Sequence, residues 1–340
     1  NQLKQWANSP QKALVIQDER DIVLNLDASS LKDGGDSLNP IEVYAYYIGL
    51  NINNMHQGKI YLKYLLSYSA TYLEESCQYI RSAFEKGIKK SLPPEIGQDD
   101  ELMKRFEVRL WQDEATAYAV CALSQYLTQD YIRAGKGSGT GELWEELEKG
   151  DIFYGIYDFG GGTLDFSFGI MEQAEQAVYH KLGYGGGSHL GCENILEELA
   201  FRIFYDDANR ERLIKMSVRC NKPMFYGMRE DEGRLVGTSN AARFNSCNLI
   251  SVLRRYWMDR NESSDLMSDS ENPYADMLQL QGENGEFYET KLGGRENDGW
   301  DEIETVFILR AEPEEIEKFF REKVAEGVKL FVDFYRDIIQ

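Results

Sequence analysis

The hydrophobic pattern changes period several times along the chain, which predicts alternating strands and helices. In RFEVRLWQ, residues 105–112, Phe106, Val108 and Leu110 recur with the period of two that is typical of a strand. The next segment, EATAYAVCALSQYL, places small apolar residues on one face of a helix. Further strands are predicted at 13–16, 22–26 and 60–68, with helices at 41–51 and 71–90. A succession of this kind predicts an α/β fold.

The second half of the chain opens with a predicted hairpin. In DIFYGIYDFGGGTLDFSFGIM, residues 151–171, two runs rich in β-branched and aromatic residues flank three consecutive glycines. The glycine-rich segment 182–191 predicts a loop before an amphipathic helix. Residues 206–303 are hard to assign, with helical patches at 210–219 and 248–257 and a hairpin in QLQGENGEFYE. A strand at 305–309 precedes a long helix with one apolar stripe: Ile316, Phe320, Val324, Val328, Phe331, Tyr335 and Ile338.

Length and charge limit the classes of protein to consider. A chain of 340 residues predicts two domains or two lobes. Its 58 acidic and 37 basic side chains give a net charge of −21, which repels phosphate backbones and anionic membranes. We therefore expect no nucleic-acid partner and, because no apolar run approaches about 20 residues, no membrane partner. Five dispersed cysteines without metal-ligand spacing indicate reduced thiols in a cytoplasmic protein.

The glycine turn at 160–162 offers a chemistry of its own. Glycines lack Cβ atoms, so a ligand can approach the backbone, and successive N–H groups form an anion-binding concavity. The hydroxyl of Thr163 can bond a phosphate, while Asp158 and Asp165 can order the waters around Mg²⁺. The alternative is an ordinary hairpin loop with acidic neighbours. The phosphate-binding motif G-x-x-x-x-G-K-[ST] does not occur in the sequence.

Three motifs resemble those of one protein superfamily. DFGGGTLDFSFG resembles D-L-G-G-G-T-x-D-x-S, the second phosphate loop of the sugar kinase, heat-shock protein 70 (Hsp70) and actin superfamily, and most of all that of the DnaK-type chaperones. Upstream, DEATAYA at 113–119 resembles their N-E-P-T-A-A-A. Downstream, GYGGGSHLGCENILEELAFRIF resembles their G-D-x-x-L-G-G-x-D-F-D segment. The order and separations match over residues 40–204, and the closing strand and helix lie where this family returns to its second lobe.

The resemblance implies a Mg-ATP site with slow hydrolysis. Asp158 would hold the water shell of Mg²⁺, and Thr163 would contact the γ-phosphate. Glu114 would orient the attacking water, with Asp165 the other candidate to accept its proton. Without the resemblance, Glu114 is more simply an acid at a helix start, facing the dipole. Gly161 and Gly162 would donate their backbone N–H groups to the β- and γ-phosphates of ATP or ADP. The nucleotide would also lie against the other glycines of the two glycine-rich segments: Gly160, Gly186 and Gly187.

The fold implied is the actin-like ATPase fold, in which two ribonuclease-H-like α/β lobes carry inserted subdomains, truncated here at both ends. The first phosphate loop, D-x-G-T-[TS], and the adenosine loop, G-G-x-[ST]-x-x-P, have no counterpart, and Ala115, Cys192 and Asn194 depart from the family pattern. We expect residues 1–40 in an outer subdomain of lobe I, 41–133 in its core, 134–150 in an inter-lobe loop, 151–184 and 304–340 in the core of lobe II, and 185–303 in its outer subdomain.

These expectations describe a central fragment of an Hsp70-like ATPase domain in a molecular chaperone-like protein. In the longer protein, ATP binding would close the lobes, and polypeptide clients and co-chaperones would be the partners. The fragment alone, with one phosphate loop, is expected to be inactive. Two alternatives stay open: a non-chaperone actin-like ATPase of the filament or cell-shape type, and a catalytically silent scaffold that kept the fold.

Overall fold

The chain divides into two compact units. The computed structural model describes residues 14–17, 23–26, 39–55, 59–126, 151–172, 178–223, 232–258, 277–293 and 306–339. The first unit comprises Asn1–Ser188 and Phe331–Gln340, and the second comprises His189–Leu330. The lobe and subdomain boundaries expected from the sequence stay a prediction, and the expected inter-lobe loop, 134–150, lies outside the described residues.

Strands and helices follow the predicted alternation over most of the described residues. The strands are β1 (Leu14–Gln17), β2 (Val23–Leu26), β3 (Lys63–Tyr68), β4 (Glu107–Asp113), β5 (Ile152–Phe159), β6 (Leu164–Glu172), β7 (Val178–Gly187), β8 (Met277–Gln281), β9 (Phe287–Gly293) and β10 (Val306–Arg310). The helices are α1 (Pro40–Met55), α2 (Glu74–Ser91), α3 (Pro94–Gly97), α4 (Asp100–Met103), α5 (Glu114–Tyr126), α6 (Cys192–Tyr205), α7 (Asp207–Lys215), α8 (Asn240–Met258) and α9 (Pro313–Ile339). The predicted helical patch at 248–257 lies within α8, whereas the one at 210–219 overlaps α7 only as far as Lys215 and is wrong beyond it.

In the first unit, helices α1 and α2 pack on a parallel pair of strands. β3 pairs in parallel with β4, and α2 lies in the crossover that such a pair requires. Ala45 of α1, Ile88 of α2, Tyr64 of β3 and Val108 of β4 form the buried cluster between them. The predicted α/β alternation is confirmed here, and it brings the chain to Glu114 at the carboxyl end of β4.

The predicted glycine-turn hairpin belongs to a three-stranded antiparallel sheet in the order β5–β6–β7. On one face, Tyr154 and Met171 pack against Ala119 of α5. On the other face, Phe168 packs against Phe331 and Phe334 of α9, with ring centroids 4.7 and 6.1 Å apart. Residues 164–169 of β6 are all buried. That unbroken burial follows from the cover on both faces.

The loop predicted at 182–191 is wrong for most of its length, because residues up to Gly187 belong to β7. A Cβ atom at Gly183 would lie 3.0 Å from the ring of Phe334, and one at Gly185 would lie 2.8 Å from the ring of Phe166. The glycines therefore let aromatic rings lie directly against the strand. A run of glycines in a sequence does not distinguish this use from a loop.

Helix α9 contributes different residues to the two units. Ile316, Phe319 and Phe320 are buried, whereas Val328 of the predicted stripe is 46% exposed. At 3.6 residues per turn, Val328 lies about 80° around the helix from Phe320, while the buried Gly327 lies about 20° away. The predicted stripe is therefore correct at Ile316 and Phe320 and wrong at Val328.

In the second unit, a sheet in the order β10–β9–β8 packs beside helices. The predicted hairpin of β8 and β9 is confirmed, with Gly285 at φ 84° in its turn, and β10 pairs in parallel with β9. Only glycine adopts such a φ at little cost. The buried core of this unit includes Leu196, Leu199, Phe204, Leu249, Leu253, Leu280 and Phe320.

Asn209 joins α7 to β10. Its Nδ2 donates to the carbonyl oxygens of Ile203 and Arg310, each at 2.7 Å, and its Oδ1 accepts from the N–H of Arg310, also at 2.7 Å. Asn209 is 2% exposed, so Asn209→Ala leaves buried polar groups unpaired. We expect the free energy of unfolding of the second unit to fall by about 2–4 kcal/mol, measured by urea unfolding.

The matched control for Asn209 is Asn248→Ala. The Nδ2 of Asn248 also donates to a backbone oxygen, that of Gln279 at 2.7 Å, but in an exposed position. Because water can replace that bond, we expect a loss below about 1 kcal/mol. Equal losses in the two variants would show that burial of the Asn209 bonds is not what matters.

Candidate functional site

The glycine turn closes the hairpin of β5 and β6. Asp158 lies opposite Asp165 in the ladder, and residues 160–163 connect the strands. The N–H of Gly160 donates to the carbonyl oxygen of Thr163 at 3.0 Å. Directly opposite residues of an antiparallel pair project from the same face. The structure therefore brings Asp158 and Asp165, both predicted site residues, to one face beside the turn.

Packing does not require a glycine at position 162. Beyond its chain neighbours, a Cβ atom at Gly162 would have no heavy atom within 4 Å, whereas one at Gly160 would lie 3.0 Å from the carbonyl oxygen of Thr163. Neither of these glycines has a φ in the left-handed region. The fold thus leaves open space where Gly162 carries no side chain, as expected where a ligand approaches the backbone.

Three donors hold the carboxylate of Asp165, which is 1% exposed. Its Oδ1 accepts from the Ser69 hydroxyl at 2.9 Å and from the Ala70 N–H at 2.6 Å, and its Oδ2 accepts from the Thr163 hydroxyl at 2.6 Å. Burial raises the pKa of Asp165, the three donors oppose that rise, and the charge of Glu114 adds to it. Asp165 thus links β6 to the turn after β3.

Glu114 is the first residue of α5, directly after β4. The fully buried Asp113 caps this helix, since its carboxylate accepts from the N–H and the hydroxyl of Thr116 at 2.8 and 2.7 Å. Lys181 of β7 also donates to Asp113, at 3.3 Å. The cap fixes where α5 begins and therefore where Glu114 lies. Asp113 is not among the site residues predicted from the sequence, although an acid three residues before Thr116 is a recognisable capping signal.

Tyr72 lies within the electrostatic influence of two predicted site residues. Burial raises the pKa of Tyr72, and the negative charges of Glu114 and Asp165 raise it further. The charges of Glu114 and Asp165 thus both act on Tyr72, a residue for which the sequence predicted no role at the site. No local pattern marks Tyr72, which is one of 21 tyrosines in the chain.

The two glycines predicted as nucleotide contacts on β7 lie at the same end of the sheet. Gly186 is opposite Asp165, and Gly187 is opposite Leu164. A Cβ atom at Gly186 would collide with the carbonyl oxygen of Leu164 and would lie 3.0 Å from the methyl group of Thr71. Packing alone accounts for the glycine at 186, so its contact with a nucleotide stays a prediction.

The arrangement combines a bare turn with three carboxylates, those of Glu114, Asp158 and Asp165. Backbone N–H groups bind anions, and carboxylates hold hydrated Mg²⁺ through its waters, so the residues present fit a metal-complexed phosphate. Among the described residues, no group of three or more His, Cys, Asp or Glu side chains is placed to hold a metal directly. The expectation from the sequence is a cation held through its water shell, which needs no such group.

The cysteines and the helices can be compared with what the sequence predicts about thiols and membrane spans. All five cysteines lie in described segments, and each is a free thiol. Over the described ranges, no helix combines the length and the apolar character needed to cross a bilayer.

Comparison with known proteins finds weak similarity to two human proteins, while no family model matches the chain. Heat shock 70 kDa protein 12B is 38% identical over 72 residues, which are 21% of this chain and 10% of that protein. Heat shock 70 kDa protein 12A is 24% identical over 255 residues, which are 63% of this chain and 37% of that protein. The chain thus spans well under half of either relative. These matches show a distant similarity to human heat shock 70 kDa proteins and none specific to the DnaK type, and the mixed α/β structure is compatible with an actin-like ATPase fold.

Proposed function

We propose that this chain forms part of an Hsp70-like, actin-like ATPase domain, and that its first unit carries one wall of a Mg-ATP site. The proposal is carried by the bare turn at Gly162, which opens beside the paired carboxylates of Asp158 and Asp165. The distant similarity to heat shock 70 kDa proteins 12A and 12B supports it. A two-lobed architecture, chaperone activity with polypeptide clients and co-chaperones, and a cytoplasmic location belong to the same proposal.

Each predicted residue has a defined role in this site. Asp158 orders the waters of the cation, and the N–H groups of Gly161 and Gly162 donate to the β- and γ-phosphates. Glu114 orients the attacking water from the start of α5. Bound Mg²⁺ supplies neutralisation of charge on the phosphoryl group. The nucleotide also lies against the remaining glycines: Gly160, Gly186 and Gly187.

Asp165 is better suited to positioning than to proton transfer. Its carboxylate already accepts hydrogen bonds from Ser69, Ala70 and Thr163. Accepting a proton from water would remove the negative charge that strengthens these three hydrogen bonds. This leaves Glu114 as the principal catalytic candidate. The same observation favours, as the second candidate function, a silent scaffold that binds nucleotide without hydrolysing it.

Asp158→Asn tests the site with Mg-ATP and the 340-residue chain. For the unaltered chain, we expect NMR shifts confined to the amides of the glycine turn and their neighbours, with a Kd of roughly 1 mM, because one wall leaves the ligand half solvated. Asp158→Asn removes a charge that orders the cation's waters, so we expect affinity to fall at least about tenfold. Asp151→Asn, at an exposed acid just before β5, serves as the control and is expected to change nothing.

Metal removal sharpens this test. Without Mg²⁺, ATP carries its full negative charge towards Glu114, Asp158 and Asp165, so we expect EDTA to abolish the shifts. Turn amides that do not respond to several millimolar Mg-ATP would refute the proposed site. Binding without phosphate release in the longer protein would instead support the silent scaffold, because this chain alone is expected to be inactive in either case.

A further inference from the structure

The turn Ser69–Thr71 follows β3 directly and contacts the start of β6. Ser69 is 2% exposed, and its hydroxyl lies 2.9 Å from Oδ1 and 3.3 Å from Oδ2 of Asp165. The N–H of Ala70 donates to the same carboxylate at 2.6 Å. The methyl group of Thr71 lies against Gly186 of β7. This turn is therefore part of the candidate site, although no motif in the sequence marks it.

Hydrogen-bond chemistry fixes the direction of each bond in this network. An ionised carboxylate only accepts, so Ser69 donates its single hydroxyl proton to Asp165. The Thr71 hydroxyl, 2.9 Å from the Ser69 oxygen, must then be the donor of that bond. The Thr71 N–H donates to the same oxygen at 3.3 Å. The Ser69 hydroxyl therefore makes all the hydrogen bonds that it can, donating one and accepting two.

The same reasoning applies to Thr163. Its hydroxyl proton is committed to Oδ2 of Asp165 at 2.6 Å, a short bond to a charged acceptor. The hydroxyl of Thr163 can therefore only accept further hydrogen bonds, through the lone pairs of its oxygen. Next to it, the space at Gly162 is open.

We propose that Ser69 is a positioning residue of this site: by donating to Asp165 it fixes the carboxylate that takes the proton of Thr163, so that Thr163 presents only oxygen lone pairs to a ligand on the glycine turn. Such an oxygen accepts from a donor or from a water of a hydrated cation, and it repels a bare phosphate oxygen. The assignment rests on the proposed Mg-ATP site. It replaces a direct bond from Thr163 to the γ-phosphate with contact to the cation's water shell.

If Ser69 were purely structural, its bond to Asp165 would join β3 to β6 but would not influence the rotamer of Thr163. The two roles are separable with a matched control, because Ser167 is a second buried serine and lies on the same face of β6 as Asp165. Ser167 is fully buried, and its hydroxyl lies 2.7 Å from that of Thr116. Ser69→Ala and Ser167→Ala each remove one buried hydroxyl, but only the first removes a donor to Asp165.

The first measurement uses nucleotide-free protein. Three-bond NMR couplings report the χ1 rotamer of Thr163, which we expect to be single in the unaltered chain and in Ser167→Ala. In Ser69→Ala we expect rotamer averaging, and in Ser69→Thr, which restores the hydroxyl, a return to one rotamer. If the added methyl group prevents Ser69→Thr from folding, Thr71→Val is the second check. It removes the donor to Ser69 but keeps the bond from Ser69 to Asp165, so Thr163 should keep one rotamer.

The second measurement is the affinity for Mg-ATP. We expect Ser69→Ala to weaken it about tenfold, while Ser69→Thr restores it and Ser167→Ala leaves it unchanged. A single Thr163 rotamer in folded Ser69→Ala would overturn the positioning role even if Mg-ATP binds. If the unaltered chain does not bind Mg-ATP, the proposed site is refuted. The rotamer of Thr163 would still distinguish the positioning role of Ser69 from a purely structural one.

Discussion

Phe168→Ala is expected to lower the free energy of unfolding of the first unit by about 3–5 kcal/mol. Phe168 is 2% exposed on the middle strand of the sheet. Its ring lies 4.7 Å from that of Phe331, 6.1 Å from that of Phe334 and 5.7 Å from that of Tyr335, measured between centroids. Truncation leaves a cavity that the rigid strand cannot close. Urea unfolding with hydrogen exchange of the β6 amides measures the loss.

The reason for so large an effect is that Phe168 fastens the last turns of α9 to the sheet. We therefore expect the amides of residues 331–338 to lose protection together with those of β6. Phe287→Ala, in the second unit, is the control for truncation of an exposed ring, since Phe287 is 52% exposed. We expect it to lower the free energy of unfolding of that unit by less than about 1 kcal/mol. If residues 331–338 keep their protection in Phe168→Ala, this ring is not what holds the helix.

Asp113→Ala is expected to lower the free energy of unfolding of the first unit by about 2–4 kcal/mol. The change removes the acceptor of the N–H and the hydroxyl of Thr116 and the partner of Lys181. Because Asp113 is fully buried, water cannot replace it. Circular dichroism during urea unfolding measures the change.

The control for this cap is another aspartate cap in the same unit. Asp99 accepts from the N–H groups of Glu101 and Leu102 at 2.9 and 3.0 Å, but these bonds are exposed. We expect Asp99→Ala to cost about 0.5–1 kcal/mol. Asp113→Asn should fall between the two, because an amide can cap the helix but cannot pair with Lys181. Equal losses for Asp113→Ala and Asp99→Ala would show that burial of the cap adds nothing.

These two residues bear on function through position rather than chemistry. Phe168 holds the sheet that presents the glycine turn, and Asp113 fixes the helix start that carries Glu114. A loss of Mg-ATP binding in either variant is therefore informative only when the folded fraction is measured alongside. Asp158→Asn, which removes a charge beside the turn, is the more direct test of the site.

Local patterns predicted what depends on neighbouring residues. The alternation around Val108 gave β4, the small apolar face gave α5, and the glycines between aromatic runs gave the hairpin of β5 and β6. The strand and the helix follow from periods of two and 3.6 residues, and the hairpin follows from turn residues between two strand-like runs. The motif resemblance added the grouping of Glu114, Asp158 and Asp165. The ladder places Asp158 opposite Asp165, and the charge of Glu114 raises the pKa of Asp165.

By itself, the sequence determined the type and order of most elements and the bare turn at 160–162, because both depend on residues close together in the chain. Only the tertiary structure decided that Gly183 and Gly185 lie in a strand, since the rings that need their space come from distant residues such as Phe334. It also decided the partners of Asp165, because Ser69 lies 96 residues away. A hydrogen bond over that separation leaves no period in the sequence, and it appears only when the chain is folded.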